Sequence, residues 1–354
     1  MGLWHEGSEI EMLTPKKVFV DTIVTQLSLL SSGDLLETEE SNDGPPRAKR
    51  IVVPGTYQDK NLHAVHFPGK GILMLEGSVI GYYQGHNVFG SCDVPGLVLD
   101  AHKAMHKSAA FTLSKQDRLR VQDGSIVELK RLDIGVNFAL PDGVSVTRAL
   151  VELAHEMIDK GMNTATYGYG ETVYRNQHSQ SSALKFYDKA KELTDNKGLP
   201  ANLPNREAIM GFAKSVIRCE VVLRHPKLKA MEMTKPKDCT FTLLKSELEN
   251  AIGRMNLKRS VRVGLTALDL RDVKPMYHTT YRCWEHGDDL ETLLEPKAYK
   301  RQVAYFASIG FDITTAPPVS GEEIPLGDIF TLSNAVEPPP ELWGDDDDAE
   351  AVEC

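Results

Sequence analysis

The chain has 354 residues, 41% of them hydrophobic and 25% charged, with a formal net charge of −10. This composition is typical of a globular protein of up to two domains, and no apolar run approaches the roughly 18 residues of a membrane span. The N-terminal segment predicts no secretory signal, and five scattered cysteines without a CxxC spacing favour reduced thiols over disulfides or a zinc site.

Hydrophobic periodicity predicts strands in the first two thirds of the chain and helices after it. The predicted strands are 17–27, 50–53, 63–67, 71–75, 78–83, 125–138, 172–175, 183–188 and 216–224. The predicted helices are 97–107, a helix capped by Ser145 that runs to Lys160, 205–212, 242–255, 289–294 and 296–308. This order predicts an α+β fold with an antiparallel sheet.

Charge is polarised along the chain. Residues 336–354 hold eight acidic residues and no Lys or Arg, whereas residues 171–230 hold eleven Lys or Arg against six Asp or Glu. We expect a catalytic domain over 1–230, a smaller, mainly helical domain over 231–330 and an acidic, disordered tail over 331–354. A tail that folds back and competes with DNA phosphates is the alternative to a solvated end.

Three predicted strands place a charged or reactive residue inside an apolar run. They contain Asp133 in KRLDIGVNF, Tyr187 in LKFYDKAKEL and Glu220 in VIRCEVVLR. A buried carboxylate is costly unless it is paired or bound to a metal ion. Structural ion pairs with Arg131 and Arg218 are therefore the alternative to a functional role for the two acids.

The segment QGHNVFG, residues 84–90, directly follows a predicted strand, and its two glycines permit a compact turn. His86 in this turn can offer a metal ion a neutral imidazole, and Glu76, near the end of the preceding strand, can offer a carboxylate. A hydrogen-bonded structural histidine is the alternative.

Four segments occur in an order that resembles the replication initiators of filamentous bacteriophages, the gene II/gene X replication-associated protein family. The segments are QGHNVFG, KRLDIGVNF, ETVYRNQHSQSSALKFYDKAKEL and IRCEVVLR. The resemblance spans about residues 18–225 and continues more weakly into KAYKRQVAYFASIGFDI. It implies an antiparallel-sheet nuclease domain followed by a helical domain.

The resemblance also implies rolling-circle replication. Such an enzyme nicks the plus-strand origin of supercoiled double-stranded DNA, becomes joined to the 5′ phosphate through a tyrosine and later rejoins the displaced strand. The tyrosine that matches the family motif is Tyr187, and Tyr174 is the weaker candidate. Rejoining conserves the diester energy, in keeping with a sequence that contains no GxxxxGK[ST] phosphate loop.

A free phenol has a pKa near 10, so a nearby cation must favour its ionised form. We expect Mg²⁺ or Mn²⁺ on Asp133, Glu220, His86 and Glu76 to polarise the scissile phosphate. Lys189, predicted to share a strand face with the nucleophile, would stabilise the developing charge.

The expected phosphate contacts lie in the basic stretch and are Arg175, Lys185, Lys191, Arg218 and Arg224. The expected partners are phage or plasmid-like DNA at its origin and the host's replication helicase and polymerase, in the bacterial cytoplasm and away from membranes. Two alternatives stay open: a non-catalytic DNA-binding regulator of the same fold, and a metal-dependent nuclease that uses water while Tyr187 only packs in the core.

Overall fold

The computed structural model describes residues 17–30, 48–57, 60–168, 171–195, 198–258, 261–264, 273–309, 311–314 and 319–342. Its largest element is a nine-stranded sheet in which every neighbouring pair of strands is antiparallel. The strands are β1 (Val18–Ser28), β2 (Lys49–Val53), β3 (Leu62–Phe67), β4 (Ile72–Gly77), β5 (Val127–Ala139), β6 (Thr164–Tyr167), β7 (Thr172–Arg175), β8 (Ser182–Asp188) and β9 (Val216–Arg224). Their order across the sheet is β2-β3-β4-β1-β5-β9-β8-β7-β6.

Helices surround this sheet and continue beyond it, and two short strands, β10 (Val261–Gly264) and β11 (Val319–Ile324), form a separate pair. The helices in the described residues are α1 (Val79–Gln84), α2 (Val94–Lys107), α3 (Lys115–Gln122), α4 (Val146–Asp159), α5 (Lys189–Asp195), α6 (Arg206–Lys214), α7 (His225–Ala230), α8 (Phe241–Gly253), α9 (His278–His286), α10 (Leu290–Leu293), α11 (Pro296–Ser308) and α12 (Leu326–Ile329). The predicted α+β fold is therefore confirmed. No helix in the described part of the chain is long and apolar enough to cross a membrane.

Most predicted elements are confirmed with small shifts at their ends, but the strand predicted over 78–83 is wrong. These residues form helix α1, because the Ser78 side chain accepts a hydrogen bond from the Gly81 amide at 3.1 Å and caps the first turn. Gly85, at φ 79°, then ends the helix in the left-handed conformation that glycine adopts without strain. The local caps outweigh the strand preference of a valine, an isoleucine and two tyrosines.

The two faces of the central sheet differ in chemistry. Leu132, Ile134 and Val136 of β5 are fully buried in the main hydrophobic core, to which α2 and α4 contribute. The alternate residues of the same strand, among them Asp133 and Gly135, face the other way because side chains alternate along a strand. This second face, called the polar face below, holds the predicted site residues of β5, β8 and β9.

A smaller hydrophobic cluster joins the 84–90 segment to α5 and α6. Its buried members are Val88, Phe89, Ala190, Leu193, Leu199, Leu203, Ile209, Ala213 and Leu342. Because His86 and Asn87 immediately precede this cluster in the chain, packing of Val88 and Phe89 fixes where their side chains lie.

The hydrophobic clusters do not divide at residue 230. Helix α8 contributes Leu244 and Leu248 to the core of the sheet, whereas a separate aromatic-rich cluster lies within residues 273–313. The C-terminal helices therefore contain a cluster of their own, but it begins later in the chain than the predicted boundary.

The tail predicted to be disordered over 331–354 is ordered in its first part. Ala335 is buried and forms a β-bridge with Phe138 at the end of β5, and Leu342 is buried in the small cluster. Ala335 attaches the start of this segment to the sheet, and Leu342 attaches its end to the small cluster. Residues 343–354, which hold six of the eight acidic residues of 336–354, lie outside the described residues.

The described cysteines are free thiols. Cys92, Cys219 and Cys239 are buried and Cys283 is half-buried. Burial raises the pKa of the Cys239 thiol to about 12, which keeps it protonated and unreactive.

Candidate active site

The register of the strands brings the reactive side chains of the polar face together. Two adjacent rows of paired residues cross β8, β9 and β5: Tyr187–Arg218–Asn137 and Lys185–Glu220–Gly135. Neighbouring strands in a sheet lie about 5 Å apart, so side chains in these rows are in contact range. Residues separated by more than 80 positions in the sequence thereby form one cluster.

The centre of the cluster is a hydrogen bond between Tyr187 and Glu220. The phenol Oη of Tyr187 donates to Glu220 Oε1 at 2.5 Å, and both side chains are buried. Burial, assisted by the negative charge of Glu220, raises the pKa of Tyr187 well above its ordinary value. The resting phenol is therefore protonated and needs a base to become a nucleophile.

Glu220 is suited to be that base. Burial alone raises the pKa of its carboxyl group, but the positive charges of Lys185 and Arg218 outweigh this effect, and the net pKa lies below its ordinary value. The nitrogen Nζ of Lys185 lies 3.7 Å from Glu220 Oε2 and 3.7 Å from the ring centroid of Tyr187. Glu220 is thus an ionised acceptor held against the phenol.

Lys189 contributes a second positive charge, but from a helix and not from the strand on which it was predicted. Strand β8 ends at Asp188, and Lys189 is the first residue of α5. Its fully buried Nζ donates to Asn87 Oδ1 and Glu192 Oε2, both at 2.8 Å, and lies 5.7 Å from the ring centroid of Tyr187. Burial lowers the pKa of Lys189.

Arg218 holds the 84–90 segment against the sheet. Its Nη2 donates to the carbonyl oxygens of Asn87 and Val88, each at 2.7 Å, and its Nε donates to Asn137 Oδ1 at 2.8 Å. The side chain is fully buried. The prediction that Arg218 contacts DNA phosphates at the surface is therefore wrong, because its donors are directed at the protein's own backbone and side chains.

Gly135 leaves the space that Arg218 needs. A Cβ at this position would lie 2.9 Å from Cε2 of Phe19 and 3.2 Å from Nη1 of Arg218. The guanidinium group packs over the Phe19 ring, 4.5 Å from its centroid. Any larger residue at position 135 would push the side chains of Phe19 and Arg218 away from β5.

Asp21 of β1 is a carboxylate of the site that the sequence analysis missed. Its Oδ1 accepts a hydrogen bond from Asn87 Nδ2 at 2.7 Å. The Nη1 atom of Arg218 lies between two acids, 3.8 Å from Asp21 Oδ1 and 3.7 Å from Glu220 Oε1. Burial and then the charge of Glu220 raise the pKa of Asp21. Its sequence signal, an acid inside the apolar run VFVDTIV, is the one that pointed to Asp133 and Glu220.

Asp133 makes the ion pair that was the alternative to a metal-binding role. Arg131 donates from Nε and Nη2 to the two carboxylate oxygens, at 2.8 and 2.5 Å. Burial raises the pKa of Asp133 to about 7, although the contact with Arg131 opposes this shift. Both oxygens of the carboxylate are therefore already occupied by a guanidinium group.

His86 and Glu76 differ in their exposure to solvent. His86 is buried, and its Nδ1 accepts a hydrogen bond from the Val88 amide at 3.3 Å. Burial, with the charge of Lys189, lowers its pKa to about 3, so the ring is neutral. Glu76 is exposed on β4, three strands away from the strand of Glu220.

The four expected metal ligands are therefore not gathered into one site. Within the ranges that the structure describes, no group of three or more His, Cys, Asp or Glu side chains is arranged to hold a metal ion. The reasons are the position of Glu76 on β4 and the engagement of Asp133 with Arg131.

The other predicted DNA contacts occupy different surfaces. Lys185 and Arg224 lie on the polar face, and Arg224 Nη2 donates to the Gln177 carbonyl at 3.3 Å. Lys191 is exposed on α5, with its Nζ 3.2 Å from Asp195 Oδ1. Arg175 lies on the opposite face from Tyr187, because it pairs with the core residue Leu184.

The fold and the cluster together define an α+β sheet protein with a tyrosine and a carboxylate at the centre of a buried polar site. Residues 57–242 match the family model described as replication-associated protein G2P N-terminal, and this match covers more than half of the chain. The chain belongs to this family of replication-associated proteins. The family predicted from the four sequence segments is thereby confirmed.

The chain is also similar to two known proteins. Replication-associated protein G2P of Enterobacteria phage I2-2 is 24% identical to this chain over 266 residues, which is 74% of each chain. A solved structure, the rolling circle replication initiator protein from Geobacillus stearothermophilus, aligns with 72% of this chain and 89% of its own length, at 14% identity and a TM-score of 0.28. The assignment rests on the family match and on the phage relative.

Proposed function

We propose that this chain is a rolling-circle replication initiator that nicks its origin DNA by forming a covalent phosphotyrosine at Tyr187. The observation that carries the proposal is the 2.5 Å hydrogen bond from the Tyr187 phenol to an ionised Glu220, with Lys185 packed over the phenol ring. A nucleophile in contact with its base, beside a cation, is the arrangement that phosphoryl transfer to a hydroxyl group requires.

In the proposed reaction, Tyr187 Oη attacks the scissile phosphorus while its proton passes to Glu220. The bond from phosphorus to the 3′ oxygen breaks, the 3′ oxygen takes up a proton, and the 5′ phosphate stays on the tyrosine. Rejoining is the reverse: a 3′ hydroxyl attacks the phosphotyrosine, and the leaving phenol recovers its proton. The number of phosphate ester bonds is conserved, so the cycle needs no ATP.

Lys185 is the residue best placed to meet the scissile phosphate. Its side chain is about one fifth exposed, whereas Tyr187 beneath it is 2% exposed and Lys189 is fully buried. A phosphate can therefore reach the phenol only if Lys185 moves or pairs with it. The charge of Lys185 would then pass from Glu220 to the phosphate oxygens, which strengthens the base at the moment of attack.

Asp21 and Arg218 act on this reaction through position. Arg218 fixes the backbone of the 84–90 segment, and Asp21 fixes the amide of Asn87, which in turn accepts the hydrogen bond of Lys189. Positioning residues of this kind keep the reacting groups within the small tolerance that catalysis requires.

A requirement for Mg²⁺ or Mn²⁺ stays a separate prediction. The described residues offer no ready-made site for the ion, and the proposed steps use only the chain's own groups. Comparing nicking in added Mg²⁺, in added Mn²⁺ and after chelation measures the requirement directly.

The proposed substrate is supercoiled phage or plasmid-like DNA at its origin, in the cytoplasm of a bacterial host. A host helicase and polymerase would use the 3′ hydroxyl that nicking releases, because that end is a primer and the displaced strand must be unwound. Lys185, Arg224 and Lys191 are the proposed contacts to the DNA backbone.

One assay tests the proposal. Full-length protein is incubated with origin-bearing supercoiled DNA and Mg²⁺, denatured, and examined for nicked DNA with protein attached. The proposal predicts an adduct with the wild-type chain and with Tyr174→Phe, and none with Tyr187→Phe. Nicks without attached protein would instead indicate a nuclease that uses water, and binding without nicks would indicate a non-catalytic regulator.

A further inference from the structure

Two tyrosines extend the polar face from the candidate nucleophile to the outer edge of the sheet. Tyr174 of β7 pairs with Lys185 of β8, and Tyr167 of β6 packs against Tyr174 with ring centroids 5.7 Å apart and planes at 86°. The Nζ of Lys185 lies 5.9 Å from the Tyr174 ring and 3.7 Å from the Tyr187 ring. These contacts form a continuous row of side chains across strands β6, β7 and β8. The row runs from Tyr167 through Tyr174 and Lys185 to Tyr187.

The exposure of the three tyrosine rings increases toward the edge of the sheet. Tyr187 is 2% exposed, Tyr174 is half-buried and Tyr167 is 48% exposed, on the last strand of the sheet. The hydroxyl of Tyr167 donates to Gln177 Oε1 at 2.6 Å, which holds the ring in place. The exposed ring of Tyr167 is therefore held in one orientation at the edge of the sheet.

We propose that the exposed Tyr167 ring, packed at a right angle against Tyr174, forms a stacking platform for an unpaired base of the DNA strand that is cut at Tyr187. This inference rests on the proposed function and names how the substrate strand is held. Bases of single-stranded DNA stack on exposed aromatic side chains whatever their sequence, while a neighbouring cation binds the phosphates between them. Tyr167 supplies the exposed ring and Lys185 the cation.

The geometry selects single-stranded over double-stranded DNA. In a duplex the faces of the bases are covered by their neighbours, so a flat aromatic surface has nothing to stack on. Nicking of a supercoiled origin requires that the strand be locally unpaired for its phosphate to reach a buried phenol. A platform next to that phenol would stabilise the unpaired strand and set which phosphate is presented.

The test measures DNA binding separately from chemistry. Full-length protein carrying Tyr187→Phe, which cannot form an adduct if the proposed function is right, is titrated into a fluorescent single-stranded origin oligonucleotide and into its duplex. Tyr167→Ala is added to this background, with Tyr167→Phe as the matched control that keeps the ring and loses the bond to Gln177. Circular dichroism and thermal melting establish that each variant is folded.

Tyr167→Ala is expected to weaken single-strand binding about tenfold and Tyr167→Phe by less than about twofold, the range typical of losing or keeping one stacked base. Duplex binding and the salt dependence of both affinities should not change, because phosphate contacts are intact. An abasic site in the oligonucleotide should weaken binding to the protein that keeps the Tyr167 ring. The same abasic site should have little effect on binding to Tyr167→Ala.

Two results would overturn the platform. Equal single-strand affinity of Tyr167→Ala and its parent, in folded proteins, would reduce the tyrosine pair to a cross-strand contact that stabilises the sheet edge. If Tyr167→Ala weakened single-strand and duplex binding equally, Tyr167 would contribute to DNA binding in general and not to the stacking of unpaired bases. Neither result depends on the nucleophile, whose failure would appear separately as adduct formation by Tyr187→Phe or its absence from the wild type.

Discussion

The phenol of Tyr187 on β8 and the carboxylate of Glu220 on β9 are joined by a 2.5 Å hydrogen bond in a buried site. Both groups face the same side of neighbouring antiparallel strands, in adjacent rows of the register. Burial and the charge of Glu220 keep the phenol protonated, whereas Lys185 and Arg218 outweigh the effect of burial on Glu220 and keep the base ionised. This difference in protonation is what a general base and its nucleophile need before a reaction.

Glu220→Gln is expected to lower the rate of adduct formation by about 100-fold or more, because an amide cannot take the phenol proton. The rate should recover in part at high pH, where hydroxide removes the proton instead. The measurement is the rate of covalent attachment as a function of pH. Glu128→Gln, a half-buried acid paired with Lys130 elsewhere on the sheet, is the matched control. An unchanged rate in Glu220→Gln would remove the carboxylate from the reaction.

Asp21→Asn is expected to affect the rate of adduct formation more than stability, and Asp133→Asn is expected to affect stability more than the rate. Asp21→Asn should reduce adduct formation about tenfold at little cost in stability, because it disturbs the Asn87 amide that positions Lys189. Asp133→Asn should destabilise the fold by about 1–3 kcal/mol, because it breaks a two-bonded contact with Arg131. Urea unfolding and the adduct rate per folded molecule measure both effects. Lost cleavage with intact stability in Asp133→Asn would restore Asp133 as a metal ligand.

The reactive residues could be predicted because their strands are otherwise apolar. A carboxylate or a phenol in the middle of VIRCEVVLR or LKFYDKAKEL stands out against its neighbours, and strand alternation then places Lys185 beside Tyr187. Asp21 carries the same signal in VFVDTIV and was missed because the strand was read only for its β-branched residues. Family resemblance added Tyr187 as the nucleophile and the order of the motifs.

The roles of Arg218 and Lys189 could not be predicted, since both depend on pairing between distant segments. Arg218 is buried because the carbonyl oxygens of Asn87 and Val88 lie over β9, more than 120 residues away in the chain. Lys189 is buried by its contact with Asn87 from the same segment. The metal site expected on four residues stays a prediction, and the position of Glu76 on β4, three strands from the strand of Glu220, could not be predicted because sequence order does not give the order of strands in a sheet.

His86 is expected to make the protein sensitive to acid. Its folded-state pKa of about 3 lies below the ordinary value of 6.5, so between these pH values the unfolded chain binds more protons. The free energy of unfolding should therefore fall as pH decreases from about 6.5 to about 3, by up to about 1.4 kcal/mol per pH unit from this group. His86→Gln should show a shallower decline in urea unfolding across this window. At pH 8 the ring is neutral in both states, so the two proteins differ only through packing. Equal slopes of the free energy of unfolding against pH between about 6.5 and 3 would contradict the lowered pKa of His86.

Deleting residues 343–354 is expected to tighten non-specific DNA binding at low salt and to have little effect at high salt. The deletion removes six acidic residues and keeps Leu342, which packs in the small cluster with Val88 and Phe89. Tethered acids compete with DNA phosphates for basic side chains at high local concentration, and salt screens both. Titrations of the full and shortened chains at two salt concentrations measure the effect, and the nick position should stay the same. Equal affinities at both concentrations would show that the acidic residues do not compete with DNA.

Mapping the peptide that becomes linked to DNA tests whether Tyr187 is the nucleophile. The adduct from wild-type protein and origin DNA is digested with nuclease and trypsin, and the nucleotide-bearing peptide is identified by mass spectrometry. Trypsin cuts after Lys185 and Lys189, so the account predicts the nucleotide on the peptide of residues 186–189, Phe-Tyr-Asp-Lys. A nucleotide on the peptide of residues 161–175, which contains Tyr174, or nicked DNA without any linked peptide, would contradict it.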